Sequence, residues 1–179
     1  MHTAPLVTDE HALEALRLAC DVLGQAERCG RPAILVQAQL GIACCYRALG
    51  ELEAAEVHLN KALAWARVAQ SPDAEVEVLC ELCDVGAQRA RALDSQDEAA
   101  AHAARELVRD RVFEVGQLAA RVADADWEVK VLLHISDVLN RLGDHDDASQ
   151  LQARAMRRMS GTLSADAAEL PSLGRLADS

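Results

Sequence analysis

A stretch of 13 residues occurs twice in the chain, and it limits the architecture more than any other feature. Residues 73–85 and 126–138 share seven identical positions, in which Asp, Glu, Asp and Val keep the same register. Two unrelated amphipathic helices would agree only in apolar character, so this match indicates a repeated structural unit. A weaker match by residue type relates residues 32–43 to 72–83. We therefore expect three related units that stack and share one core.

Apolar residues recur at helical spacing through most of the sequence, which predicts helices. Aromatic residues make up only 2% of the chain, so alanine, leucine and valine supply its apolar surface and favour helices over strands. Pro32 suits a first helical turn, Gly50 and Gly143 suit helix ends, and Ser95 with Glu98 fits a capping box. These signals predict about seven helices, at 8–29, 32–49, 51–69, 73–93, 96–123, 126–142 and 145–159.

Short connections between these helices force sequential neighbours to pack antiparallel. The predicted fold class is therefore all-α, with stacked antiparallel helix hairpins. A flexible N-terminus (1–7) precedes a helical repeat domain (8–160), and a flexible C-terminal tail (161–179) follows it. Within the domain we expect an orphan helix (8–29) and three units, at about 32–69, 73–123 and 126–159.

The first unit contains the residues of a known repeat. Small or apolar residues and a turn glycine stand at the positions that define it, namely Ile42, Ala43, Tyr46, Gly50, Ala55, Leu59 and Ala62. Residues 36–69 thus resemble a tetratricopeptide repeat. A second copy over 129–162 departs from the pattern at Gln152, and the middle unit has Gly86 at the tyrosine position. The resemblance implies a solenoid, a short right-handed superhelix of the tetratricopeptide (TPR-like) type.

The resemblance also implies that the first helix of each pair lines a concave, partner-binding groove. Carried over position by position, the groove residues are Gln37, Leu40, Cys44, Arg47, Glu77, Cys80, Asp84, Lys130, Leu133, Asp137 and Asn140.

An apolar stripe of Leu40, Cys80 and Leu133 beside Asp84 and Asp137 predicts the chemistry of the partner. Apolar contacts would anchor it, and the acids would favour a lysine or arginine. We therefore expect a protein or peptide with an apolar and a basic anchor. The alternative interpretation is that these are ordinary solvated helix faces.

The net charge of −11 and the pI near 4.9 disfavour nucleic acid as a partner, because an acidic protein repels phosphates. No apolar run approaches the ~20 residues that span a bilayer, so no membrane association is expected. The first ten residues lack the basic and apolar regions of a signal peptide. These features predict a cytoplasmic protein.

The six cysteines are expected to be reduced thiols in that compartment. Cys80 and Cys83 have CxxC spacing, but they fall inside a predicted helix, which favours core packing over metal binding or thiol exchange. His134 lies within reach of Asp137 without a nucleophile nearby, and Trp65 and Trp127 suit gaps between helices. No catalytic motif is present, so we expect no enzyme activity, cofactor or metal.

The sequence therefore predicts a non-catalytic scaffold or adaptor that takes part in protein–protein interaction. Two alternatives remain open at this point. One is a self-assembling helical protein, a homodimer whose second copy fills the concave face. The other is a sensor that binds a small molecule or a metal through its cysteines.

Overall fold

The computed structural model describes residues 6–122 and 124–160, and this part of the chain contains seven α-helices and no strand. The predicted all-helical class and helix number are confirmed. The helices are α1 (Leu6–Cys29), α2 (Pro32–Ala48), α3 (Leu52–Val68), α4 (Pro72–Leu93), α5 (Glu98–Ala119), α6 (Ala125–Leu142) and α7 (His145–Met159).

The expectations about flexible termini fall mainly outside the described residues. Residues 1–5, 123 and 161–179 are not part of the description. Helix α1 begins at Leu6, two residues before its predicted start at residue 8.

Two glycines end helices in the manner that the sequence predicts. Gly50 and Gly143 have φ angles of +79° and +89°, the left-handed region that side chains with a Cβ rarely adopt. The expected capping box at Ser95 is wrong. The side chain of Asp97 caps α5 by accepting a hydrogen bond from the Ala100 amide at 3.0 Å.

Helix α5 starts later than predicted because the residues before it still hydrogen-bond to the end of α4. The backbone amides of Gln96 and Asp97 both donate to the carbonyl of Leu93, at 2.9 and 2.8 Å. These residues complete the last turn of α4, and a new helix can begin only after them. The helix therefore runs from Glu98 to Ala119, shorter than the predicted 96–123.

Consecutive helices pack against each other to form three hairpins, α2/α3, α4/α5 and α6/α7, with α1 against α2. Small side chains lie where paired helices meet: Ala55, Ala62, Ala148 and Ala155 are fully buried. One continuous cluster of buried residues joins the three hairpins, and Trp65 packs against both this cluster and a smaller one beneath α1. The chain is a helical-repeat array, as the repeated sequence units predict.

The first and middle hairpins differ at the tyrosine position of the repeat. In the first hairpin Tyr46 of α2 stacks on His58 of α3, with ring centroids 5.4 Å apart. In the middle hairpin Gly86 occupies the tyrosine position, and a Cβ added there would lie 2.5 Å from Val108 Cγ2 of α5. Gly86 thus departs from the repeat pattern because α5 leaves no room for a side chain.

We predict that Gly86→Ala lowers the free energy of unfolding by about 1–3 kcal/mol, since overpacking forces neighbouring side chains and backbone to shift. The control is Gly41→Ala, at an exposed position of α2 where an added Cβ meets nothing within 4 Å. There, alanine should stabilise the helix by up to about 1 kcal/mol. Chemical denaturation of both variants checks this, and equal effects would contradict the close contact.

Candidate functional site

An open pocket of about 580 Å³ lies between the N-terminal halves of the three first helices, α2, α4 and α6. The α3–α4 connection closes one side of it. Its lining residues are Ala33, Val36, Gln37, Ala69, Ser71, Asp73, Ala74, Val76, Glu77, Cys80, Trp127 and Val131. Because all three repeat units contribute, the pocket exists only when the hairpins are stacked.

The pocket combines an apolar floor with a negatively charged rim. Val36, Val76 and Val131 are buried core residues whose edges form the floor. Asp73 and Glu77 lie one helical turn apart on α4, and both are exposed. Neither carboxylate has an ion-pair partner among the residues that the structure describes. The pocket can therefore accept an apolar group and a cation side by side.

The C-terminal halves of the same helices form a network of charges. Asp84 of α4 is 7% exposed and reaches across to α6. Its Oδ2 lies 3.1 Å from His134 Nε2, and its Oδ1 accepts a hydrogen bond from Arg141. Arg141 also pairs with Asp137, with 3.3 Å between Nε and Oδ2. These contacts join the second and third units.

The electrostatics of this network follow from its contacts. Burial alone would raise the pKa of Asp84, but hydrogen bonds from His134 and Arg141 outweigh it and hold the pKa below the usual carboxyl value. The hydrogen bond to Asp84 raises the pKa of His134, against the smaller effect of burial. Protonated His134 is therefore favoured in the folded protein.

A further ion pair joins the first and second units. Arg47 Nη1 of α2 lies 3.3 Å from Glu81 Oε2 of α4. Both side chains are partly exposed, so the ion pair contributes little to stability. Each of the two charges is nevertheless neutralised by the other. In this half of the surface the charges are largely neutralised within the chain.

Three of the predicted groove residues, Gln37, Glu77 and Cys80, line the pocket. The predicted apolar stripe does not form a surface. Leu40 is only 6% exposed and belongs to the core, and Cys80 is half-buried against that core. Leu133 alone of the stripe is well exposed. Their positions along the helices place these residues on one side of the array, but packing against neighbouring helices leaves them with different exposed fractions.

The remaining predicted groove residues lie outside the pocket. Asp84, Arg47 and Asp137 are held in the ion pairs described above, so Asp84 is not free to attract a partner's cation. Asn140 Oδ1 lies 3.1 Å from His145 Nδ1 of α7. Two others, Cys44 and Lys130, are exposed on α2 and α6.

The sequence prediction missed Asp73, Val76, Trp127 and Val131. Trp127 was expected to fill a gap between helices, and it does pack against the core while also lining the pocket. The sequence contained a signal for two of them. Asp73 stands one helical turn before Glu77, and Val76 stands directly beside it. Extending the groove by one turn towards the helix N-termini would have included them.

The CxxC pair is unsuited to thiolate chemistry. Burial raises the pKa of Cys80 to about 12, and it also raises the pKa of the fully buried Cys83. Both thiols stay protonated near neutral pH and serve as small packing residues.

Within residues 6–122 and 124–160, no group of three or more His, Cys, Asp or Glu side chains is arranged to hold a metal ion. None of the described helices has the length and apolar character to cross a membrane.

We predict that His134 stabilises the fold more in acid than in base. Its folded-state pKa is raised, so its contribution is complete below the unfolded-state pKa and is lost as pH rises through the folded-state value. The loss of unfolding free energy in His134→Asn should thus be larger at about pH 5.5 than at about pH 9. Denaturant titrations at both pH values measure it. Asp137→Asn, which does not contact His134, should show no such pH dependence, and a His134→Asn effect that grew with pH would contradict the assignment.

Comparison with known proteins identifies the first hairpin. The sequence model of the tetratricopeptide repeat family matches residues 36–68, which comprise most of α2 and all of α3. No curated protein and no solved structure matched the chain. The predicted resemblance over 36–69 is confirmed for this unit, and the other two hairpins have the same architecture. The chain thus carries a tetratricopeptide repeat over residues 36–68, within a helical-repeat array.

Proposed function

We propose that the chain is a non-catalytic scaffold that binds a protein or peptide in the pocket between α2, α4 and α6. The repeat match supports protein interaction in general, because stacked helix pairs of this kind offer an extended surface rather than a reaction centre. The observation that carries the proposal is the pairing of an apolar floor with two exposed carboxylates that have no ion-pair partner within the described residues.

The expected partner presents a bulky apolar side chain next to a lysine or arginine. The apolar group would lie against Trp127 and the valine floor, where its burial supplies most of the binding free energy. The cation would lie between Asp73 and Glu77, which are spaced by one helical turn. Charge pairs at such a rim contribute more to orientation and association rate than to affinity.

Three histidines take part in contacts between helices, which supports a structural role for them. His58 Nδ1 lies 2.7 Å from Gln39 Oε1, and burial lowers the pKa of His58. His134 pairs with Asp84 and His145 with Asn140. Each of these contacts joins two helices: α2 with α3, α4 with α6, and α6 with α7.

We predict that a peptide library displayed against the immobilised full-length protein becomes enriched in sequences with a basic residue beside a bulky apolar one. Glu77→Lys should weaken the selected peptides by about tenfold or more, because it places like charges at the rim. Isothermal titration of each variant with one selected peptide measures the change.

The matched control is Asp110→Lys, which makes the same charge change at an exposed position of α5 outside the pocket. Its affinity should equal that of the wild type. Selected peptides that bind equally well to Glu77→Lys would overturn the pocket as the binding site.

A second function, self-assembly, is favoured by one observation. Helix α1 packs on α2 with one face, while Leu13, Leu18 and Val22 remain 50%, 61% and 49% exposed. In this array α1 stands where the second helix of a hairpin would stand, but no first helix pairs with it among the described residues. A second copy of the chain could cover this apolar surface. At the CxxC pair the sensor alternative lacks comparable support, since burial keeps these two thiols protonated.

Self-assembly through α1 predicts a dimer that Leu18→Glu converts to a monomer. Sedimentation velocity over a dilution series measures this, with Leu107→Glu at an exposed position of α5 as control. A wild-type protein that stays monomeric at every concentration would rule out this second function.

A further inference from the structure

The end of α7 lies against the N-terminal end of α6, the helix that contributes Trp127 and Val131 to the pocket. In α7, Arg154 Nη2 donates a hydrogen bond to Glu128 Oε1 at 2.7 Å, and Arg158 Nε forms an ion pair with Glu128 Oε2 at 2.9 Å. Glu128 is 4% exposed and stands in the first turn of α6, next to Trp127 in the pocket lining. These buried bonds hold the end of α7 at the pocket end of α6. Residue 160 therefore follows a helix end that lies at the same end of α6 as Trp127.

Residues 161–179, which lie outside the described part of the chain, carry the chemistry that the pocket selects. Their single basic residue is Arg175, and it stands between Leu173 and Leu176. A guanidinium flanked by two leucines matches an apolar floor beside two exposed carboxylates. The remaining charges of this segment are acidic, so only the stretch around Arg175 complements the rim.

We propose that residues 170–176 bind in the pocket of their own chain and compete with the partner for it. Leu173 and Leu176 would contact the valine and Trp127 floor, and Arg175 would pair with Asp73 and Glu77. The intervening residues 161–169 can span up to about 30 Å when extended, which is about three helix diameters. The proposal rests on the proposed function, because it assigns an internal competitor to the same site.

Because residues 170–176 are covalently connected to the helical domain, they can fill the pocket even if their intrinsic affinity for it is low. A tether of this length supplies an effective concentration on the order of 1 mM. A segment that binds with a Kd of about 0.1 mM then fills the pocket in about nine of ten molecules. The apparent affinity for an external ligand falls by about tenfold.

The test uses a fluorescein-labelled peptide of residues 166–179 and full-length proteins. Fluorescence anisotropy should show that the peptide binds the Leu173→Asp/Leu176→Asp protein about tenfold more tightly than the wild type, because the double substitution frees the pocket. Adding Glu77→Lys to the double variant should weaken the peptide again. Thermal unfolding checks that the substitutions leave the helical domain intact.

A Leu163→Asp/Ala167→Asp protein is the control, since it adds the same charge to the segment outside residues 170–176. It should bind the peptide like the wild type. Equal affinities of the wild type and the Leu173→Asp/Leu176→Asp variant would overturn the proposal, and so would a peptide that binds neither protein.

The outcome is separable from that of the proposed function. If library peptides bind in a Glu77-dependent manner while the 166–179 peptide does not, the pocket remains a partner site and the internal competitor is excluded. If the wild type is a dimer that the Leu173→Asp/Leu176→Asp substitution dissociates, the segment binds a neighbouring copy, and binding within one chain is overturned. Sedimentation velocity distinguishes these states.

Discussion

Close approach of paired helices is the constraint on which the rest of the structure depends. Fully buried alanines such as Ala55 and Ala148 let the two helices of a hairpin meet with little space between them, and dense packing makes each such position sensitive to added volume. Gly86 is the extreme case, since its place against Val108 has no room for a methyl group. Tight hairpins allow the first helices to stand side by side, and the pocket is the space left between their N-terminal halves.

The inner surface is divided along the length of these helices. Towards the C-terminal ends, Asp84, His134 and Arg141 satisfy one another and join two units. Towards the N-terminal ends, the apolar floor is open and Asp73 and Glu77 face solvent. A ligand that binds at the open end need not break the ion pairs between units, so binding there does not oppose the forces that hold the array together.

The fold could be predicted from the sequence because its signals are local. Repeated residues, glycines at helix ends and helical spacing each act within a few turns of chain. The choice between Ser95 and Asp97 as the cap of α5 could not be predicted, because both residue types can cap a helix. Which of them does so depends on how far α4 continues. The site was predicted only in part. Sequence position identifies the face on which Leu40 and Asp84 lie, but their burial and pairing depend on distances between different units.

Folding and recognition depend on different side chains of the same three helices. On α4 the buried Val76 and Leu79 support the core, whereas the exposed Glu77 between them lines the pocket. Substitution at such an outward position costs little stability. A lineage could therefore exchange one ligand for another by changing a few rim residues, with no compensating change in the interior.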